Sequence, residues 1–468
     1  MSTRIREQSA LRIGYRVNGK AELRDAAATD NKNLPIHRWV PWIAGFSARF
    51  VEDAIEAYLP KRGRADQLVL DPFAGVATTL VEALKIGCNA IGYEINPFAA
   101  LAAGAKVNCV DVDPRTFGEE IDRFRVAMDS FESATDRVWR EGGDDAITSI
   151  LASLRASGGR SFRSRIPFFS PPVEAKFLNA LAHISSLGEP CRALFRTALG
   201  ATMVSFSNYT YEPSLSSRPG AGKALIDNAP VGLPVSRRLG EMLEDVMLAQ
   251  AQYAARWRPR EREINEGSYF NSVLPPGQVS LVVTSPPYMN NYHYVRNTRP
   301  QLHWLGLLQG GNGARDLEHE SYGKFWQTVR QGENIDLDFG FPELETDIQY
   351  LRGLNVDRGA YGGQGWANYV ATYFNDSNRF LNLLRRHLKP GSRAVVVVGN
   401  SIIQGVEFKV DQLLGNLAER HGLWVEEIRI VRTKRVGNSI IGSSVRNGNH
   451  QQAKKDTHLY DAAVILKA

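Results

Sequence analysis

The chain has 468 residues, of which 43% are hydrophobic and 23% are charged, as in ordinary globular proteins of one or two domains. Its three cysteines (Cys88, Cys109 and Cys191) lack Cys-x-x-Cys spacing, so we expect neither a disulfide framework nor a metal site. The amino terminus lacks the apolar core of a signal peptide, and no apolar run approaches the roughly 18 residues of a membrane span. We therefore expect a cytoplasmic protein without a membrane partner.

The first quarter of the chain begins with a polar arm and then alternates helix and strand patterns. Residues 1–30 show no clear period and are interpreted as a loose arm. An amphipathic helix is expected over 47–60, opened by Ser47 and stopped by Pro60. Strands are expected near 67–71 and 89–94, and a helix over 97–106 follows the second strand.

The loop after the first strand has the composition of a ligand-binding turn. It runs from Asp71 to Thr79 with the sequence DPFAGVATT, whose small residues permit a tight turn and close approach of a ligand to the backbone. A helix is expected over 80–85, with Thr78 or Thr79 as its cap. Glu94 ends the next strand, 23 positions after Asp71 (94 − 71), where an acid can bind the ribose hydroxyls of a nucleoside cofactor.

The same loop favours a cationic nucleoside over a dinucleotide. A pyrophosphate-binding loop needs Gly-x-Gly-x-x-Gly, whereas this one has Gly75 followed by Ala77 and opens with Asp71. A carboxylate there would repel a pyrophosphate but tolerates a cation. S-adenosylmethionine is cationic and carries a ribose without a phosphate, so it suits the loop better. A strand-turn-helix unit that binds no cofactor is the alternative.

Residues 111–255 interrupt this rhythm with helical patterns and few strand signals. The expected helices span 116–132, 145–156, 173–186, 190–206 and 235–256. We interpret the region as a helical insertion. The sheet resumes with strands near 262–266 and 279–284.

The strand at 279–284 runs into Thr284-Ser285-Pro286-Pro287-Tyr288. Two consecutive prolines cannot continue a strand or open a regular helical turn, so the chain leaves the sheet stiff and extended. A hydroxyl, a fixed carbonyl and an aromatic ring then lie at the carboxyl end of a strand, where open α/β sheets bind ligands. These groups suit a flat ring that carries an amine, although a turn with a core tyrosine is the alternative.

The remaining chain combines an irregular stretch with further elements of the sheet. Residues 307–365 are interpreted as irregular, and their acidic patch over 333–347 is not expected to face DNA. A helix over 366–388 and strands over 393–399, 424–432 and 458–467 follow.

A glycine-rich basic segment lies between the last two strands. No acid occurs from Arg432 to Lys455, although the net charge of the whole chain is only +6. Such a segment can follow a phosphate backbone, and a solvated loop is the alternative. Arg432, Lys434 and Arg435 are its candidate nucleic-acid contacts.

These motifs together resemble those of the amino-group DNA methyltransferases. The resemblance rests on DPFAGVATTL and GYEINP (71–80 and 92–97), on VVTSPPY (282–288), on IHRWVPW with Phe46-Ser47, and on the segment 290–306. The chain has Ser285 where other members have an aspartate before the two prolines, and in this it resembles the cytosine-N4 branch. Ala77 stands where the family usually has glycine, and Ser268 stands where it often has an acid near the adenine.

The resemblance implies a role for each matching residue. The cofactor would be S-adenosylmethionine, and the target would be a cytosine turned out of double-stranded DNA. Ser285 and the Pro286 carbonyl would hold the amino hydrogens, Pro287 would stiffen the corner, and Tyr288 would stack on the base. The expected cofactor-binding residues are Phe46, Ser47, Asp71, Phe73, Gly75, Thr78, Thr79, Glu94, Asn96, Ser268 and Thr284. Tyr292, Tyr294 and Arg296 are expected near the target strand.

The resemblance also implies the architecture and the partners. We expect an α/β fold with a doubly wound, Rossmann-like methyltransferase sheet that is mostly parallel and has an antiparallel last strand. The catalytic domain would comprise 31–110 and 256–468. The insertion at 111–255, the stretch at 307–365, or both would recognise the target. The expected location is the bacterial or archaeal cytoplasm near the nucleoid, and a cognate restriction endonuclease or defence-system subunit is a candidate partner.

Three alternatives stay open from the sequence. The first is methylation of adenine N6 or of an amine in RNA. The second, cytosine C5 methylation, needs a cysteine nucleophile, and Cys191 lies in a helical pattern that does not favour it. The third is a DNA-binding subunit that keeps the fold without catalysis.

Overall fold

A seven-stranded sheet forms the centre of the computed structural model, which describes residues 23–42, 45, 47–156, 164–212, 214–289, 293–308, 313–434 and 459–468. The strands of these residues are β1 (Leu68–Asp71), β2 (Asn89–Glu94), β3 (Tyr209–Tyr211), β4 (Leu215–Ser217), β5 (Arg262–Glu266), β6 (Val279–Thr284), β7 (Leu388–Gly399), β8 (Ser401–Ile403), β9 (Val406–Phe408), β10 (Trp424–Lys434) and β11 (Leu459–Lys467). β3 pairs with β4 and β8 with β9 in two small hairpins outside the main sheet.

The strand order of the main sheet is β10-β11-β7-β6-β1-β2-β5. All neighbours from β7 to β5 are parallel, whereas β11 runs antiparallel to both β7 and β10. The expected Rossmann-like sheet with an antiparallel last strand is therefore confirmed. Every residue of β1 and β6 is buried, because the central strands of a parallel sheet are covered on both faces.

Helices cover both faces of the sheet. Those of the described residues are α1 (Ala48–Tyr58), α2 (Thr78–Lys85), α3 (Pro97–Val107), α4 (Pro114–Ala156), α5 (Pro171–Ser185), α6 (Cys191–Thr202), α7 (Gly232–Trp257), α8 (Tyr294–Trp304), α9 (Gly313–Glu320), α10 (Trp326–Val329), α11 (Pro342–Arg352), α12 (Gly363–His387) and α13 (Val410–Arg420). None of them is long and apolar enough to cross a membrane.

Alternate residues of the strands enter two separate cores. Val69 and Val283 face the core beneath α1 to α7, while Leu70 and Val282 face the core beneath α10 to α13. The helices between 111 and 255 therefore share a core with α1 to α3. They form a second layer over those helices, because α6 packs on α3 and α7 packs on α2.

Three local expectations differ from the structure. α2 begins at Thr78, and its N-cap is Ala77 in a left-handed conformation, so neither threonine caps the helix with its side chain. The described part of the stretch 307–365 contains three short helices, α9, α10 and α11. They were not predicted, because the glycines and acids of this stretch interrupt the apolar period of a helix. The first two expected insertion helices form one helix, α4, which is broken at Gly143.

Candidate active site

Asp71 lies fully buried at the end of β1 and is held by residues of both motifs. Its Oδ1 atom accepts hydrogen bonds from the Phe73 amide at 3.1 Å and from the Thr284 hydroxyl at 2.6 Å. Its Oδ2 atom has no hydrogen-bond partner among the described residues. Burial raises the pKa of the Asp71 carboxyl to about 6, because the charged form loses its hydration. Thr284 is itself fully buried and therefore orients Asp71.

The turn after Asp71 is shaped by two residues with positive φ. Gly75 has a φ of +52°, and a Cβ atom there would lie 3.1 Å from the indole nitrogen of Trp42. Ala77 has a φ of 66°, a conformation in which a methyl group is strained. Thr78 and Thr79 are buried inside α2, and the Thr79 hydroxyl donates to the Val283 carbonyl at 3.0 Å. Thr79 thereby holds the turn against β6, and neither threonine lines the cavity described below.

Glu94 supports the turn from the end of β2. One carboxylate oxygen accepts the Gly75 amide at 2.8 Å, and the other accepts the Asn96 amide at 2.7 Å. Burial raises the pKa of Glu94 to about 7. Each oxygen of a carboxylate can accept a second hydrogen bond, so Glu94 can still bind a diol. The Asn96 side chain already has its own partners. It caps α3 and donates a hydrogen bond to the Thr298 hydroxyl at 2.7 Å.

A single cavity of about 110 Å³ joins the two sequence motifs. Gly75 and Glu94 line it from the first motif, and Ser285 and Pro287 line it from the second. The neighbouring parallel strands β1 and β6 place these corners side by side. The rest of the lining comprises Trp42, Pro72, Phe73, Tyr93, Ile95, Asn96, Gly267, Ser268, Tyr269, Phe270, His293, Tyr294, Val295, Glu318, Glu320, Ser321, Tyr322, Lys324 and Phe325.

The diproline corner is fixed from the neighbouring strand β7. The Ser285 hydroxyl donates to the Val397 carbonyl at 3.1 Å and also interacts with the Tyr288 hydroxyl. A hydroxyl oxygen has two lone pairs, so Ser285 can accept a hydrogen bond as well. Pro286 is buried. The Tyr288 ring lies against Gly399, where a Cβ atom would come within 3.1 Å of the ring. Burial raises the pKa of the Tyr288 hydroxyl, with a further contribution from Asp461.

The segment 36–42 closes the cavity over the glycine turn. Asp245 on α7 accepts hydrogen bonds from the Ile36 amide at 2.7 Å and the Trp39 indole at 2.9 Å, and it pairs with Arg38. Trp42 is thereby placed over Gly75. Ser47 is buried at the start of α1 and does not line the cavity. Phe46 lies outside the described residues.

Lys106 is fully buried beneath this segment, and its ammonium donates to the His37 carbonyl at 3.4 Å. Burial lowers the pKa of Lys106 from 10.5 to about 7. Between pH 7 and pH 10.5 the unfolded chain therefore binds one proton more than the folded chain. The stability of the wild type should therefore rise with pH relative to Lys106→Met, by up to about 1.4 kcal/mol per pH unit. Urea unfolding at pH 7, 8 and 9 measures this slope, with the exposed Lys61→Met as control. Parallel pH profiles for wild type and Lys106→Met would contradict it.

The expected nucleic-acid contacts are only partly visible. Tyr294 lines the cavity, and Arg296 is exposed on α8. Arg432 is exposed near the end of β10, which runs parallel to β7 and so ends at the same edge of the sheet as the cavity. Nothing is described of the side chain of Lys434. Tyr292 and Arg435 lie outside the described residues.

Phe270 and Tyr322 line the cavity but escaped the sequence analysis, which named Ser268 and Phe73. Ser268 accepts the Phe270 amide at 3.3 Å, and the Phe270 ring stacks on Tyr322 at 6.2 Å. Phe73 meets Tyr322 edge-on at 5.1 Å, so three rings form one aromatic wall of the cavity. Tyr322 belongs to the stretch 307–365, where no pattern marked it. Trp42, the second tryptophan of the IHRWVPW segment, was visible only as part of a resemblance.

Comparison with known proteins agrees with this geometry. The family model described as DNA methylase, for the N6 and N4 group, matches residues 24–103. The chain is 23% identical to the Type II methyltransferase M.BsoBI of Geobacillus stearothermophilus over 441 residues, which is 87% of this chain and 82% of the relative. It is 25% identical to the Type II methyltransferase M.AvaI of Nostoc sp. over 440 residues, with 87% and 83% covered. A segment of 67 residues is 33% identical to M.MjaII of Methanocaldococcus jannaschii, covering 14% of this chain and 13% of the relative.

The family-model match and the similarity to Type II methyltransferases support the recognition of this chain as an amino-group DNA methyltransferase. Its methyl donor is S-adenosylmethionine, and the residues of the cavity fit that cofactor. Asp71 does not itself line the cavity, but its unpartnered Oδ2 atom is buried next to the lining residues Pro72 and Phe73, where a carboxylate favours a cationic ligand. Glu94 can accept hydrogen bonds from ribose hydroxyls, and the wall of Phe73, Phe270 and Tyr322 suits a flat purine.

Cofactor binding by this methyltransferase should strengthen as the pH rises. The pKa values of Asp71 and Glu94 are raised to about 6 and about 7 in the ligand-free chain. A cationic ligand favours the ionised carboxylates, so binding should release protons below pH 7, and the affinity should level off above about pH 8. Calorimetry between pH 5.5 and 8.5, in two buffers of different ionisation enthalpy, measures both effects. A constant affinity over this range would show that neither carboxylate is protonated before binding.

Proposed function

We propose that this DNA methyltransferase transfers a methyl group to the exocyclic N4 amine of a cytosine within a specific sequence of double-stranded DNA. The observation that carries the proposal is Ser285 at the wall of the cofactor cavity, with its hydroxyl hydrogen donated to Val397. With that hydrogen engaged, the Ser285 oxygen would serve the target as an acceptor. An acceptor at this position matches the amino hydrogens of a nucleobase.

The reaction needs the amine to be oriented. The lone pair of an aromatic exocyclic amine is delocalised into its ring, so the nitrogen is a poor nucleophile. Hydrogen bonds from the two amino hydrogens to Ser285 and to the Pro286 carbonyl would favour a pyramidal nitrogen with its lone pair directed at the donor. S-adenosylmethionine supplies the electrophilic methyl group when it is bound. Orientation of two reactants contributes up to roughly 7–11 kcal/mol to a barrier of this kind.

The target base would have to leave the double helix. A cavity of about 110 Å³ lined by Ser285 and Pro287 cannot admit a duplex, and enzymes that modify a base inside such a pocket extrude it. One side of the Tyr288 ring packs on Gly399, and the extruded base would stack on the other side. The exposed Arg296 would lie near the target strand, and Arg432 with the basic segment after it would contact phosphates.

A role in restriction-modification is the corresponding biological proposal. The similarity to two Type II methyltransferases over more than four fifths of their lengths supports it. The partner would be a cognate restriction endonuclease, or a subunit of another defence system, in the cytoplasm. The target sequence would be read by the helices of 111–255, by the stretch 307–365, or by both.

Nucleoside analysis tests the reaction directly. Duplex DNA and RNA are incubated with the protein and isotope-labelled S-adenosylmethionine, digested to nucleosides and examined by mass spectrometry. Label in N4-methylcytosine from DNA is the expected result. Label in N6-methyladenine or in RNA would replace the proposed target with another amine. Cofactor binding without transfer to either polymer would favour a DNA-binding subunit.

A further inference from the structure

Arg330 is held between aromatic rings close to the diproline corner. Its guanidinium carbon lies 4.7 Å from the ring centroid of Trp326 and 4.3 Å from that of Tyr361. Trp326 in turn stacks on Trp366, with centroids 4.8 Å apart and planes at 20°. We call these four side chains the Arg330 cluster. Its rings restrict the plane of the guanidinium and so reduce the entropy lost when that group binds a ligand.

Glycines allow the backbone to approach this cluster. A Cβ atom at Gly365 would lie 2.3 Å from the Ala360 carbonyl oxygen and 2.9 Å from the Cβ of Arg330. A Cβ atom at Gly363 would lie 1.6 Å from the Leu351 carbonyl oxygen. Gly365 therefore lets the segment that carries Tyr361 pack against the start of α12 beside Arg330, and Gly363 lets the end of α11 approach the same helix start.

The guanidinium of Arg330 has no hydrogen-bond or ion-pair partner among the described residues. Its Nε atom is buried without an acceptor, and only the backbone amide of Arg330 is bonded, to the Trp326 carbonyl at 3.0 Å. Acids are nearby in the sequence, yet Asp336 pairs with Arg352 at 2.8 Å and leaves Arg330 unpaired. An arginine fixed by stacking but not neutralised retains the donors with which guanidinium groups bind paired acceptors.

The Arg330 cluster is connected on two sides to the diproline corner and the cavity beside it. Trp366 meets Tyr369 at 6.0 Å between centroids, and the Tyr369 hydroxyl donates to the carbonyl of Met289, directly after Tyr288. Phe325, which precedes Trp326, packs on the cavity residue His293 at 3.9 Å between centroids. Bases that flank the extruded target would therefore pass near Arg330.

We propose that Arg330 reads a guanine in the recognition sequence, through paired hydrogen bonds to the O6 and N7 acceptors of its major-groove edge. The proposal rests on the proposed function, because it assigns part of the sequence reading to this site. A fixed planar fork favours a guanine edge over a phosphate, since a phosphate contact tolerates many orientations and is satisfied equally by lysine. The acidic segment after Arg330 also disfavours close approach of a phosphate backbone.

Arg330→Lys and Arg330→Ala test the proposal, with the exposed Arg358→Lys as the matched control on the same surface. DNA from cells that express each full-length variant is sequenced by a method that detects methylated bases. We expect wild type and Arg358→Lys to methylate one motif. Both Arg330 variants should accept any base at one guanine position of that motif, with the preference reduced about 10-fold or more. Calorimetry with S-adenosylmethionine should give unchanged affinity, which shows that the variants are folded.

Three results would overturn the assignment. An unchanged motif with a smaller salt dependence of DNA binding would make Arg330 a phosphate contact. An unchanged motif with unchanged salt dependence would remove Arg330 from the DNA interface. Lost cofactor affinity in Arg330→Lys would make the cluster a structural support of the cavity. If the wild type methylates no DNA, the proposed function fails. In that case the wild type is used to select the duplexes that it binds from a random pool. Binding of the Arg330 variants to these duplexes then decides separately whether the variants lose a preference for a guanine.

Discussion

Ser285→Ala should lower the turnover number by about 100-fold or more while the dissociation constant for S-adenosylmethionine stays within about twofold. The Ser285 oxygen is a fixed acceptor because its hydrogen is donated to Val397. Removing one preorganised hydrogen-bonding group from a transition state costs about two to three orders of magnitude in rate. Because alanine is smaller than serine, the cavity and the hydrogen bonds of Asp71 and Glu94 should remain intact.

Single-turnover methylation and calorimetry, measured on the same preparation, separate these two effects. Ser321→Ala is the matched control, because Ser321 lines the same cavity but donates its hydrogen to the Leu317 carbonyl of the preceding helix, α9. The control should retain turnover within a few fold. A Ser285→Ala variant that loses cofactor affinity would move Ser285 from the target amine to the cofactor, and unchanged turnover would remove it from the reaction.

Glu94→Ala should weaken S-adenosylmethionine binding by about 100-fold. The substitution removes the acceptors of the Gly75 and Asn96 amides as well as those for the ribose. Hydrogen bonds to a charged group contribute about 1.5–3 kcal/mol each, so the loss of one ribose contact together with looser support of the glycine turn accounts for the expected change. The effect on the turnover number at saturating cofactor should be much smaller.

Glu266→Ala is the control for that experiment. Glu266 ends the neighbouring strand β5 in register with Glu94, but it is exposed and does not line the cavity. Calorimetric titration of both variants with the cofactor, at pH 8 where both site carboxylates are ionised, gives the comparison. Equal affinity of Glu94→Ala and wild type would exclude Glu94 from the ribose site and leave it as a support of the turn.

The strands and the corners of the site could be predicted because each depends on neighbouring residues. A run of apolar residues predicts a buried strand, and the residues after it determine whether the chain turns tightly, as at Gly75, or leaves stiffly, as at Pro286-Pro287. The parallel strand order then brings these ends to one edge of the sheet. The direction of each strand and the antiparallel β11 followed from the family resemblance.

The N-terminus of α2 shows where local reasoning fails. Threonines before a helix are good caps, but here Ala77 occupies the left-handed position and both threonines fall inside the helix. The Thr79 hydroxyl instead donates a hydrogen bond to the Val283 carbonyl of β6. A contact between residues so distant along the chain has no signature in the spacing of either segment, and the same holds for Thr284 and Asp71.

The sequence by itself determined two strand ends with the motifs typical of an amine methyltransferase, since strand patterns and turn residues act over a few positions. Only the tertiary structure decided what encloses those ends: Trp42 over Gly75, Tyr322 beside Phe73, Gly399 under Tyr288, and Arg330 between its rings. Each of these contacts joins separate segments through close packing. Packing depends on the shapes of both surfaces at once, which no single stretch of residues encodes.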